Sequence, residues 1–171
     1  MATAISMTTL ESAAYDNIIS LINDKSIVTD PRDVSGTSKR LFVYDSDPLH
    51  KSINFGDFPY IIAEFPTLEY SKVSTDGKVK HLKWSMGLTV RTAKDGAGQG
   101  TSGAGKNDMF TICDSLQALF NSITHRQTLE DLNMFFAKLT KDDVDSLTVS
   151  QKQVYQSTYT LTFETRMVVS S

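Results

Sequence analysis

Apolar residues recur along this chain with two different spacings, and the points where the spacing changes divide it into elements. Leu10, Ala14, Ile18, Leu21 and Ile22 repeat at helical intervals and share one face. Thr8 and Glu11 stand as hydroxyl and carboxylate three residues apart, the pattern of a helix start, so the spacing predicts a helix of about four turns from there to Asp24. Residues 23–39 turn polar around Asp30-Pro31 and Gly36 and read as a long loop. Arg40–Tyr44 is a short β-prone run closed by the turn-forming Asp45-Ser-Asp-Pro48, and irregular chain continues through 45–58. Tyr60–Phe65 lies between Pro59 and Pro66, which predicts an edge strand that starts or bends at a proline and continues through Thr67–Val73.

Thr75-Asp76-Gly77 marks a hairpin turn, because Asp-Gly supplies the positive φ that tight turns need. Beyond it Leu82, Trp84, Met86, Leu88 and Val90 alternate with polar residues, the period-two signature of a strand buried on one face. A glycine-rich loop at 95–106 follows, and Asn107 or Asp108 is the expected cap of a second helix. That helix carries Ile112, Leu116, Leu119, Phe120 and Ile123 on one stripe and is expected to end near His125. Asn133–Thr140 reads as a strand. The acidic residues Asp142, Asp143 and Asp145 after it read as a solvated turn. In the last strand Tyr155, Tyr159, Leu161, Phe163, Met167 and Val169 face one way and Thr158, Thr160, Thr162, Glu164 and Arg166 the other. About fifteen residues at ~3.3 Å each make it some 50 Å long, well beyond the usual strand. The order is α-β-β-β-α-β-β, an α+β fold: a mainly antiparallel sheet with long hairpins and two amphipathic helices on one face.

The 171 residues suit one domain, 1–171, able to build its own core. Hydrophobic residues at 40% and charged residues at 22% exclude a wholly disordered chain. The formal charge of −3 leaves no global positive field to gather nucleic acid or anionic lipid. One cysteine, Cys113, in an apolar helical pattern fits a reducing compartment, and the first residues lack a basic and apolar leader, so the chain is expected to stay in the cytoplasm where it is made.

Candidate chemistry is sparse. Gly100-Thr-Ser-Gly-Ala-Gly105-Lys106 matches a phosphate-binding loop until Asn107, which stands where a magnesium-binding hydroxyl is needed. A flexible loop before a helix is the favoured reading, and nucleotide binding the runner-up from another class. His50, His81 and His125 have no metal-ligand spacing, and Asp142, Asp143 and Asp145 lack the glycine and glutamate of a calcium loop. No catalytic, cofactor or metal residue is expected. Four lysines against one aspartate in 72–83 make that hairpin a candidate for touching phosphate or an acidic partner, with a solvated hairpin flank as the alternative reading.

The helix from Leu10 to Asp24, the stretch FPYIIAEFPTLEYSKV, the strand HLKWSMGLTVRT, the polar loop before DMFTICDSLQALFNSI and the closing strand QVYQSTYTLTFETRMVV together resemble the tail terminator and head-to-tail connector proteins of long-tailed bacteriophages. The resemblance covers almost the whole chain as an order of elements, with no invariant signature. It implies a structural virion protein of the tail or neck, a homo-oligomeric, hexameric ring that caps the tail tube, docks on a head-completion or neck protein, and lets genomic DNA pass without sequence-specific binding or any membrane. The long 23–57 region and the glycine loop depart from the pattern and leave terminator and neck stopper both open. On this reading Lys72, Lys78, Lys80, Lys83, Gly96, Gly100, Gly103, Gly105 and Lys106 are the expected inter-subunit or partner contacts. A lumen passing DNA is expected to avoid strong positive charge, with which the net −3 agrees.

Overall fold

The computed structural model describes residues 7–23, 28, 31, 42–46, 58–72, 79–93, 104–131, 135–149 and 152–168. Among the described residues, three helices and seven strands follow in the order α1 (Met7–Asn23), β1 (Phe42–Tyr44), β2 (Tyr60–Ala63), β3 (Thr67–Lys72), β4 (Val79–Ala93), α2 (Ala104–Asn121), α3 (Ile123–Asp131), β5 (Phe135–Lys141), β6 (Asp145–Val149) and β7 (Lys152–Val168). The strands form one mixed, mainly antiparallel sheet, so the chain is α+β. The Asp-Gly turn and most of the loops at 23–39, 45–58 and 95–106 lie outside the described residues.

At the centre, β4 and β7 pair over fifteen consecutive residues, from Val79↔Val168 to Ala93↔Val154. β2 and β3 lie end to end along the other side of β4, and β5 and β6 end to end along the outer side of β7. β1 adds to β2 in parallel. That places β2 between β1 and β4, correcting the expected edge position; β3, next along the same flank, bonds β4 alone among the described residues.

The register puts Trp84 opposite Phe163, Met86 opposite Leu161 and Leu88 opposite Tyr159, so the alternating apolar residues of both strands share one face. These side chains are fully buried under Met109, Ile112, Leu116, Leu119 and Phe120 of α2 and Ala14, Ile18 and Ile22 of α1. A smaller cluster of Phe58, Tyr60, Ile62, Ala93 and Val154 is buried on the opposite face at one end of the sheet.

Both outer strand positions are interrupted by one surplus residue. Glu64–Pro66 span the gap opposite Met86 and Gly87, and Asp142–Val144 span the gap opposite Ser157 and Thr158. Each gap keeps one ladder-like bond, Glu64 N to Gly87 O and Asp142 N to Thr158 O, both 2.9 Å. These are β-bulges, which bend the strand and sharpen its twist. Pro66, lacking an N–H, is tolerated there because the gap asks no ladder bond of it.

Several boundaries differ from the sequence reading. α1 begins at Met7, ahead of the expected Thr8 cap. α2 begins at Ala104, so Asn107 and Asp108 lie inside the helix, not at its cap. The added turn is held by tertiary contact: Gly105 is buried and its carbonyl accepts a hydrogen bond from the buried Thr92 hydroxyl at the end of β4. The helix pauses at Ser122 and resumes as α3, whose Ile123 is exposed and not part of the apolar stripe. Asp145 opens a short strand, β6, where a turn was expected.

The indole N–H of Trp84 is buried with no hydrogen-bond partner among the described residues. Leu161→Ala, which opens a cavity in the middle of the sheet, is expected to cost about 2–5 kcal/mol. Trp84→Phe is expected to cost less, because it gives up ring volume but no hydrogen bond. Urea denaturation followed by circular dichroism ranks the two.

Burial raises the pKa of the Cys113 thiol and of the Tyr159 hydroxyl, which donates to the Cys113 carbonyl at 3.3 Å. The unfolded chain gives up these protons above about pH 8.5–10, while the native state retains them. Their contribution is therefore fully present below those values and is lost as pH rises. The urea midpoint is expected to fall between about pH 7.5 and 10.5, and to fall less in Tyr159→Phe. Equal slopes for the two proteins would remove Tyr159 from the account.

Candidate assembly surface

The expected contact residues fall at two places far apart. Lys72 and Lys80 are register partners where β3 pairs with β4. Lys83, three residues on, is exposed on the helix-free face, with Glu69 of β3 and Glu164 of β7 in register on either side. Glu164 also meets His81, Nε2 to Oε2 3.4 Å, with both side chains partly exposed. This end of the sheet alternates basic and acidic positions across three strands, an arrangement that favours the observed register.

Gly105 and Lys106 lie at the other end. Thr92, which holds Gly105, is twelve residues along β4 from Lys80, or roughly 40 Å at the rise of an extended chain. Gly105 is part of the helix-sheet packing, which corrects its expected role as a loop contact. Lys106 is exposed, its ammonium 5.8 Å from the centre of the Phe110 ring. Phe110 is itself exposed, and the two form a cation–π pair on the outer side of α2. Lys78, Gly96, Gly100 and Gly103 lie outside the described residues.

Between these ends the helix-free face is polar. The Thr89 and Thr158 hydroxyls share a 3.0 Å hydrogen bond across the β4–β7 ladder. Arg91 Nε donates to Gln156 Oε1 at 3.3 Å, and Arg91 Nη1 to the Tyr60 hydroxyl at 3.4 Å. Tyr60 in turn packs edge-on against Tyr44, with ring centres 5.4 Å apart. The polar stripe thus runs into the second apolar cluster.

One feature lay beyond sequence reasoning. At the bulge between β2 and β3, Phe65 turns to the helical side and stacks on Tyr15 of α1, with ring centres 4.8 Å apart and planes 20° from parallel. A groove of about 330 Å³ opens there, lined by Glu11, Ser12, Tyr15, Asp16, Phe65 and Pro66. Asp45 and Asp16, together with burial as the largest cause, push the Tyr15 pKa up. The neighbouring Glu64 turns the other way and lays its carboxylate over Gly87, whose missing side chain makes room for it. The sequence signal was an aromatic between a glutamate and a proline, which alternation alone assigns to a strand.

Among the described residues no group of His, Cys, Asp and Glu could hold a metal ion, and no helix is long and apolar enough to cross a membrane. Cys113 is buried, its thiol 3.6 Å from the Met109 sulfur. No protein-family model and no curated protein matches this chain.

Thr92→Val keeps the shape of the side chain but removes the bond that holds the first turn of α2. The expected loss is about 1 kcal/mol, read from thermal or urea unfolding. Faster amide exchange confined to the start of α2 would place the effect at that turn.

Proposed function

We propose that this chain is a structural subunit of a long-tailed phage virion, a tail-terminator-like protein that closes into a six-fold ring on the tail tube and presents its other side to the capsid connector. The observation that carries the reading is the combination of a long central ladder with open outer strands. β3 bonds β4 alone, and β5 and β6 bond β7 alone, among the described residues. Such edges present unpaired N–H and C=O groups. A ring that pairs or covers them satisfies those groups, and cyclic closure limits the growth that open edges otherwise invite. The resemblance in element order supports the same conclusion, and the neck stopper is a variant of it at the same junction.

The test is the mass and shape of the purified protein, alone and with tail tubes, by single-particle mass measurement and negative-stain imaging. A ring of about 113 kDa, six times the 18.9 kDa chain, is expected free or at tube ends. A monomer that ignores the tubes would overturn the reading.

A further inference from the structure

We propose that the groove between α1 and the β2–β3 bulge receives the lysine-bearing β3–β4 hairpin of a second copy of this chain. The inference rests on the assembly reading above and names the contact that would build it.

The groove has the chemistry of a cation site. Its floor is the stacked pair of Tyr15 and Phe65, and its rim carries Glu11 and Asp16; among the described residues no basic side chain lines it. Phe65 is 66% exposed, an unusual setting for a large apolar ring beside carboxylates. Aromatic faces attract ammonium groups, and carboxylates strengthen that attraction while turning anions away. The methylene stem of a lysine covers ring surface while its charged head reaches the acids.

The hairpin has the complementary chemistry. Residues 72–83 hold four lysines and one aspartate, a net +3, so the rest of the chain carries −6. Lys72 and Lys80 are register partners where β3 pairs with β4, so the sheet brings two of these lysine positions side by side at the base of the hairpin. Lys72 lies six residues beyond Pro66, roughly 20 Å along the strand, which is out of reach of the groove in its own subunit. Donor and acceptor are therefore different patches on one molecule. Such a contact closes either as a two-fold pair that exchanges hairpins or, repeated about a higher axis, as a ring, and the assembly reading selects the ring.

The experiment uses the full chain and measures its mass distribution across a concentration series, with circular dichroism to establish that each variant folds. Glu11→Lys with Asp16→Lys, and separately Lys72→Glu with Lys80→Glu, are each expected to weaken assembly at least ~tenfold. Combining all four in one chain makes the groove basic and the hairpin acidic, so assembly is expected to return. Phe65→Ala, at an exposed side chain and without a change of charge, is expected to weaken assembly as well. A wild-type assembly that all these variants leave intact would overturn the groove contact alone and leave the ring reading standing. Weakening by both reversals without recovery in the four-site chain would also overturn the mutual contact. A wild-type chain that stays monomeric at every concentration would overturn the ring reading, and this contact with it.

Discussion

Fifteen consecutive antiparallel pairs join β4 to β7, and their register decides where the other buried side chains can go. With Trp84 opposite Phe163 and Leu88 opposite Tyr159, the side chains of Leu82, Trp84, Met86, Leu88, Tyr159, Leu161 and Phe163 face the helices. A slip of one residue would send either set to the polar face and bring Thr160 and Thr162 beneath α2. The cost of such a slip grows with each buried side chain, at about 1.5–3 kcal/mol apiece, so the long ladder has one register that fits. Across the polar face the Thr89–Thr158 bond and the Arg91–Gln156 bond hold that same register from the other side.

The ladder also explains why the outer strands are broken. Sheets of strongly twisted strands do not stay aligned over long lengths without local correction. On each flank the correction is one surplus residue, placed opposite Met86 and Gly87 on one side and opposite Ser157 and Thr158 on the other. In the register of the ladder these two places lie within a few residues of each other. The inner strands run through while the outer ones bend. One bend releases Phe65 toward α1 and forms the groove, and the other lets Val144 pack partly against the core while Asp142 and Asp143 stay in solvent. The Ser157 hydroxyl, buried, donates to the Asp142 carbonyl at 3.1 Å and closes the second bend.

What was legible in the amino-acid order was what periodicity encodes. α1, α2, β4 and β7 each carry a sustained apolar repeat, and the structure buries those residues: Ile18 and Ile22, Leu116 and Phe120, Trp84 and Leu88, Leu161 and Phe163. α3 has no such stripe, since its Ile123 is exposed, and it is a continuation that local pattern does not announce. β6 is set by pairing with β7, with only Leu147 and Val149 half-buried to signal alternation among exposed neighbours. The start of α2 moved because the Thr92 hydroxyl and the Gly105 carbonyl meet across twelve intervening residues, a contact that no capping rule contains. The basic hairpin was visible as a charge run. Its acidic counterpart was not, because Tyr15 and Phe65 are fifty residues apart and meet only through the bulge.

This separation of charge bears on how the molecule avoids uncontrolled association. Its open edges would be hazardous if they were flat and uncharged, since any strand could add to them. β5 instead carries the exposed Lys138 and Lys141, the bend beyond it carries Asp142 and Asp143, and a further register shift between Phe136 and Lys138 interrupts its ladder. Lys72 closes β3, and Glu69 is exposed on it. Indiscriminate edge pairing is disfavoured by these charges and bends, whereas a partner that brings the complementary charge to one defined place is not. In the proposed contact the basic hairpin and the acidic aromatic groove are different patches, and neither complements its own copy. Two copies could still exchange hairpins about a two-fold axis, each filling the other's groove, so the angle between hairpin and groove decides between such a pair and the repeated head-to-tail contact of the proposed ring.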